Sequence, residues 1–157
     1  MKKRILNLLA GICGYRLGGL LPLANIAEGT HEGGVTMLTD AAITTRFLLG
    51  KVGTDANHVA VCGANDKPCG VIEDEADAAE DPVFVGFLGA TSRSRKFVAD
   101  DAYAANTDIF TAANGKVSDE SAVAGTYYKV GRLLQASGAD GDVVEAESHA
   151  PIALVVT

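Results

Sequence analysis

The chain has 157 residues, of which 48% are hydrophobic and 21% charged, and this is enough apolar material for a domain with a buried core. Its formal net charge is −7, and an acidic surface repels phosphate groups, so direct binding to nucleic acid is not expected. Eighteen glycines, few aromatic residues and no tryptophan favour short strands and tight turns over a deep catalytic pocket.

Residues 1–34 are predicted to form an extended N-terminal arm. The first 27 residues contain four basic residues and no acidic one, whereas the rest of the chain contains nine basic and 20 acidic residues. The apolar run that begins at Ile5 is interrupted by Arg16, Gly18 and Pro22, which argues against both a transmembrane helix and a cleaved secretory signal. We therefore expect a retained arm that buries its apolar side chains on its own body, a neighbouring subunit or a larger partner.

From residue 35 to residue 157, short apolar runs alternate with turn residues, which is typical of an all-β domain. The predicted fold is a compact sandwich or barrel of short antiparallel strands, with helical turns allowed only near residues 75–80 and 101–105. Asn114-Gly115 is predicted to form a tight turn because both residues tolerate a positive φ. The run at 83–88 is apolar on both faces and predicts a strand buried on two sides. The predicted strands are 45–52, 58–62, 70–73, 83–88, 96–99, 108–111, 126–134, 142–147 and 152–156.

Two charged clusters lie in the body. Residues 73–81 contain six acidic residues in nine positions, and residues 93–96 contain three basic ones. The ordinary role of such clusters is a solvated loop and a solvated strand end. The alternative is that they bind each other between subunits. The candidate inter-subunit contacts are then Arg93, Arg95, Lys96, Glu73, Asp74 and Glu75.

Motifs for catalysis or metal binding are not found in the sequence. There is no phosphate-binding loop, dinucleotide fingerprint or zinc-ligand spacing, so neither an enzyme nor a cofactor nor a metal site is predicted. His31, His58 and His149 are scattered, and the latter two are expected to be surface or interface residues. Cys62 and Cys69 flank a turn; free buried thiols are expected there, and a disulfide between them is the alternative.

The body resembles the capsid decoration (cement) protein family of tailed bacteriophages and prophages. The resemblance covers roughly residues 25–152 and depends on the order and spacing of several motifs. These motifs are DAAITTRFLLGKVG (40–53), HVAVC (58–62), DKPCGV (66–71), DEA (74–76), DIFTAANGKV (108–117), AGTYYKVGRLL (124–134) and DGDVVE (140–145).

This resemblance implies a structural virion protein, made in the host cytoplasm, that binds the outer capsid surface. Such a protein cements neighbouring capsomers and stabilises the head against the pressure of the packaged DNA. The implied partners are the major capsid protein and further copies of the chain in a homotrimer, without nucleic acid or membrane. The alternatives are another structural phage protein, such as a head fibre base or tail component, and an adhesin-like β module.

The arm is the candidate segment for binding to the capsid or to another subunit. Its basic residues are expected to meet an acidic capsid surface, and its apolar residues are expected to be buried against the capsid or a sister subunit. The residues concerned are Lys2, Lys3, Arg4, Ile5, Leu6, Leu8, Leu9, Arg16, Leu20 and Leu21.

Overall fold

The computed structural model describes residues 33–120 and 122–157. These residues form ten β-strands in two sheets, with one 3-10 turn and no α-helix among them. The all-β, barrel-type fold predicted from the sequence is thereby confirmed. Residues 75–80 and 101–105, where the sequence allows helical turns, form no helix; they consist of bends, turns and irregular backbone, with an isolated β-bridge at Ala76. The ten arm residues predicted to bind the capsid or a subunit all lie outside the described residues.

The first five strands form a closed barrel. They are β1 (Gly34–Thr39), β2 (Leu48–Val52), β3 (His58–Val61), β4 (Gly70–Ile72) and β5 (Pro82–Phe87), in the order β1-β3-β2-β4-β5 around the barrel. All neighbours are antiparallel except β1 and β3, which run parallel. Closure leaves no unpaired edge in this sheet, so its backbone groups hydrogen-bond within the barrel.

The remaining strands form a five-stranded antiparallel sheet. They are β6 (Ser94–Val98), β7 (Asp108–Thr111), β8 (Val117–Ser118), β9 (Gly125–Leu133) and β10 (Val143–Val156), in the order β6-β10-β9-β7-β8. The sequence predicts two strands where β10 is one strand of 14 residues. Its pairing with β9 is irregular between Ser148 and Ile152, the interval that contains Pro151. A proline cannot donate a backbone hydrogen bond, which explains why the sequence pattern is interrupted there.

A shared core joins the barrel to the second sheet. Leu49 and Val71 of the barrel belong to the same buried cluster as Phe97, Val130 and Leu133 of the second sheet. All five side chains are at most 1% exposed. Burying an aliphatic or aromatic side chain of this size contributes about 1.5–3 kcal/mol, so this cluster is a major source of the body's stability.

Strand β5 corrects one expectation. The sequence predicts a strand buried on both faces, but Phe84 is 37% exposed, whereas Val83 and Val85 are buried. Alternate residues of a strand point to opposite faces, so only one face of β5 contributes to the barrel core. The apolar Phe84 therefore lies on the outside of the barrel.

The turn at Asn114-Gly115 holds the second sheet against the barrel. Both residues take a positive φ, 58° and 72°, as the sequence predicts. The Gly115 amide donates a hydrogen bond to the Cys62 carbonyl at 2.7 Å. A Cβ atom on Gly115 would lie 2.9 Å from the backbone oxygen of Leu49, so glycine is required both by the turn and by the close approach to β2.

Candidate interaction surfaces

Arg95 connects strand β6 to the barrel. Its Nη1 atom lies 2.6 Å from Oε1 of Glu73, and its Nη2 atom donates to the Gly33 carbonyl at 2.7 Å. The Arg95 side chain is only 9% exposed, and its Nε atom is buried without a hydrogen-bond partner. The guanidinium lies over Gly86 of β5, where a Cβ atom would come within 1.9 Å of Nη1. The Arg95–Glu73 pair is therefore part of the fold of one chain.

Asp74 and Lys96 also have partners within the chain. Asp74 accepts a hydrogen bond from the Phe84 amide at 2.9 Å, and its other oxygen lies 3.4 Å from Nη2 of Arg46. Lys96 Nζ lies 5.3 Å from the centre of the Phe47 ring, within cation–π range.

Arg93, Glu75 and Lys96 are the exposed members of the predicted set, and of these only Lys96 has the partner described above. Contacts between subunits at the six predicted residues stay a prediction, and most of these side chains already have partners in their own chain.

His58 connects two acidic residues from different parts of the barrel. Its Nδ1 atom lies 2.8 Å from Oδ1 of Asp55, and its Nε2 atom lies 3.2 Å from Oε1 of Glu80. The hydrogen bonds to Asp55 and Glu80 raise the pKa of His58, and the one from His58 lowers the pKa of Asp55. No group of three or more potential ligands in the described residues is placed to hold a metal ion. The cluster is thus a local ion-pair network between the β2–β3 turn and the acidic loop before β5.

The two cysteines of the body are free thiols, as the sequence predicts. Cys62 is buried and Cys69 is partly buried, and their Sγ atoms donate to the carbonyls of Asp66 and Gly50 at 3.4 and 3.3 Å. Burial raises the pKa of Cys62 to about 12 and also raises that of Cys69. A thiol that stays protonated is a poor nucleophile, so both cysteines have a packing role.

A shallow cleft of about 100 Å³ opens on the barrel, lined by residues 40–43 and 59–61. Its one carboxylate belongs to Asp40, which accepts hydrogen bonds from the Thr54 amide and hydroxyl at 2.9 Å each. The cleft residues include no histidine, cysteine or serine. Within this cleft, therefore, the side chains offer no nucleophile and no general base that is free of a structural role.

The C-terminal half of β10 is an exposed apolar surface that the sequence did not reveal. Ile152 is 60% exposed and Val155 is 66% exposed. The sequence predicts a strand there, but it does not show whether a neighbouring strand covers it. Strand β6 pairs only with Val143–Glu147 and does not extend to this half of β10. The one feature of the sequence that could have indicated this surface is the absence of charged residues from residues 150–157.

Among the described residues, no helix is long and apolar enough to cross a membrane. No family model matches the chain, and a search of curated proteins gave no match either. The crystal structure of the head fibre gp8.5 N base of bacteriophage phi29 is similar, with a TM-score of 0.55 and 15% sequence identity. The similarity covers 75% of this chain and 94% of that one. At this identity the comparison shows a shared fold.

Proposed function

We propose that this chain is a structural protein of a tailed-phage head, which binds the outer capsid surface and cements neighbouring capsomers. The observation that carries the proposal is the fold shared with the base of a phage head fibre over nearly the whole of that base. The resemblance of the sequence motifs to capsid decoration proteins is a second line of support. Both lines lead to the phage head.

The construction of the body suits a mechanical role. The barrel is closed, one core joins it to the second sheet, and Arg95 connects β6 to Glu73 and to the Gly33 carbonyl. A network of this kind resists local opening because each element is held by several others. A body that resists opening can transmit load between capsomers, which is what a cementing protein must do.

The arm is the proposed attachment segment. Four basic residues and no acidic one lie before residue 28, whereas the rest of the chain has a net charge of −11. An acidic capsid surface would attract the arm and repel the body, so the charge asymmetry supports attachment through the arm. Lys2, Lys3, Arg4 and Arg16 supply the charge in this proposal, and leucines such as Leu8 supply apolar contact.

Co-sedimentation with capsids assembled from the major capsid protein tests this attachment. The full chain is compared with a truncated chain that begins at residue 31, and circular dichroism checks that both bodies have the same β structure. We expect the truncation to weaken binding at least tenfold. A matched variant, Lys67→Glu, reverses an exposed charge of the body outside the candidate inter-subunit contacts and should bind like the full chain.

Two outcomes would contradict the proposal in different ways. Equal binding by the truncated chain would overturn the role of the arm but keep capsid binding. Absence of binding by the full chain to every mature or expanded capsid form would overturn capsid attachment itself.

The base of a head fibre is a second candidate function, favoured by the structural similarity to the phi29 protein. The two roles differ in copy number, because a decoration protein covers the shell and is present in hundreds of copies. The homotrimer implied by the resemblance is a prediction for either role, and mass photometry of the purified chain measures it.

A further inference from the structure

The second half of β10 has one partner strand where the first half has two. Val143–Glu147 pair with β6, and Ala146 and Glu147 of this range also pair with β9, whereas Ile152–Val156 pair only with β9. Among the described residues, no strand lies on the other side of this segment. Successive residues of a strand direct their backbone N–H and C=O groups to opposite sides, so this edge carries donors and acceptors that no strand of the described part of the chain pairs.

The exposed edge is also apolar and uncharged. Ile152 and Val155 are 60% and 66% exposed, and residues 150–157 contain no charged side chain in a chain of net charge −7. Soluble proteins usually protect an edge strand with lysine, inward charges or a bulge at its centre. Here only Pro151, just before the segment, limits pairing. The edge therefore fits another uncharged β-strand.

We propose that residues 152–156 pair in antiparallel fashion with the same residues of a second copy of this chain, around a twofold axis. The second copy is favoured by charge: other faces of the acidic body repel each other, whereas this segment brings no like charges together. Twofold pairing also uses both edges at once, so the assembly closes instead of growing into a fibre.

The geometry of antiparallel pairing fixes where the axis passes. Two residues that face each other across an antiparallel pair direct their N–H and C=O groups either both towards the partner strand or both away from it. Neighbouring residues alternate between these two states, so at the twofold axis of a self-pairing strand a residue must face its own copy. Leu154 is the middle residue of Ile152–Val156. Leu154 then faces Leu154 of the second copy, and Ile152 faces Val156.

This inference goes beyond the proposed function, because it depends only on the described body and not on capsid binding. It is also separate from the homotrimer that the resemblance implies. If both contacts form, the species in solution has an even number of copies.

Cysteine cross-linking of the full-length chain tests the register. Residues directly opposite across an antiparallel pair have Cα atoms about 4.5–5.5 Å apart, within the range of a disulfide. Leu154→Cys should therefore give a covalent dimer on mild oxidation. Val143→Cys is the matched control, since Val143 is 46% exposed but lies in the half of β10 that β6 covers.

We expect the fraction of covalent dimer for Leu154→Cys to be at least fivefold that of Val143→Cys. It should exceed the wild-type fraction by the same factor, and the wild type measures the background from the native cysteines. Mixed Ile152→Cys and Val156→Cys chains should cross-link with each other and not with themselves. Equal yields for Leu154→Cys and Val143→Cys would overturn the proposal.

Sedimentation velocity with Val155→Lys is an independent test. A lysine on the edge places like charges at the interface, so we expect the dissociation constant of the dimer to rise at least tenfold. Val52→Lys, at an exposed position of the barrel, should leave association unchanged. A wild type that stays monomeric up to millimolar concentration, or an association that Val155→Lys does not change, would overturn the proposal.

Discussion

Arg95 and Glu73 form an ion pair of 2.6 Å directly over Gly86, and this pair connects the first strand of the second sheet to the barrel. The sequence proposes both residues for contacts between subunits. In the structure the two residues pair with each other within one chain. Because the Arg95 side chain is almost fully buried, its charge needs a counter-charge nearby, and Glu73 supplies it.

Replacing Arg95 should destabilise the body. Arg95→Ala removes the pair with Glu73 and one of the two hydrogen bonds that the Gly33 carbonyl accepts, the other coming from the Phe87 amide at 2.8 Å. We therefore expect the free energy of unfolding to fall by about 1–3 kcal/mol. Arg93→Ala, a change at an exposed neighbouring residue, should stay within about 0.5 kcal/mol of the wild type. Urea unfolding followed by circular dichroism measures both. Equal effects of the two changes would contradict the role given to Arg95.

Gly86 and Arg95 should be energetically coupled. A Cβ atom at Gly86 would lie 1.9 Å from Nη1 of Arg95, so Gly86→Ala forces the guanidinium away from Glu73. In the Arg95→Ala background the clash with the guanidinium no longer exists, and the remaining close contact is with Oε1 of Glu73 at 2.5 Å. Gly86→Ala should therefore cost less there by at least about 0.5 kcal/mol. A double-mutant cycle measures the difference, and strict additivity would show that the close approach has no energetic weight.

Gly115 should tolerate alanine much less well than Gly138. Gly115→Ala places a side chain at a φ of 72° and within 2.9 Å of the Leu49 carbonyl oxygen, and we expect a loss of about 2 kcal/mol or more. Gly138 has no positive φ, and its nearest neighbour is the flexible Asp142 carboxylate at 3.3 Å. Thermal unfolding of the two variants checks this difference, and a similar change in Tm for both would contradict it.

Asp108 should protect the fold against acid. Its carboxylate lies 2.5 Å from Lys129 Nζ and 3.0 Å from Arg132 Nε, and these hydrogen bonds lower its pKa below the ordinary value of 3.8. A lowered pKa in the folded state gives stability that is present above pH 3.8 and is lost as the pH falls through the folded pKa.

Asp108→Asn should therefore be less stable than the wild type near neutral pH, and the two should converge in stronger acid. Asp77→Asn, in the exposed acidic loop, is the control and should shift stability little at any pH. Urea unfolding at several pH values measures the curves. A gap for Asp108→Asn that is constant with pH would contradict the ion-pair account.

His58 should give the opposite pH dependence. Because Asp55 and Glu80 raise its pKa above 6.5, its contribution is complete below pH 6.5 and is lost as the pH rises through the folded value. His58→Gln should therefore differ from the wild type more in mild acid than in mild alkali. Glu80→Gln keeps the contact with Asp55 and should reduce the pH dependence only in part. NMR titration of His58 checks the direction, and a pKa at or below 6.5 would contradict it.

The local part of the fold could be predicted from the sequence. Strand β7 has the predicted bounds, and Asn114-Gly115 takes the predicted positive φ values, because both depend on short-range patterns. The predicted strand at 45–52 begins only at Leu48, because Phe47 takes a φ of 66° that ends the extended conformation. Strand β1 was missed, because its six residues show no clear alternation and its partners lie far away in the sequence.

The surfaces depend on non-local pairing and were harder to predict. The contact between Arg95 and Glu73 spans 22 residues and exists only because β5 places Gly86 beneath it. The free edge at Ile152–Val156 exists because β6 is five residues long and β10 is 14. Neither strand length can be read from the composition of the strand itself, because each depends on the segments that precede and follow the strand.

The copy number of this chain in the phage particle distinguishes a capsid decoration protein from the alternative structural roles. Gradient-purified particles of the phage that encodes it are analysed by quantitative mass spectrometry against the major capsid protein. We predict a ratio between one copy per capsid subunit and one copy per three. A ratio in the low hundredths would instead indicate a tail or vertex component, and absence from the particle would contradict the virion function altogether.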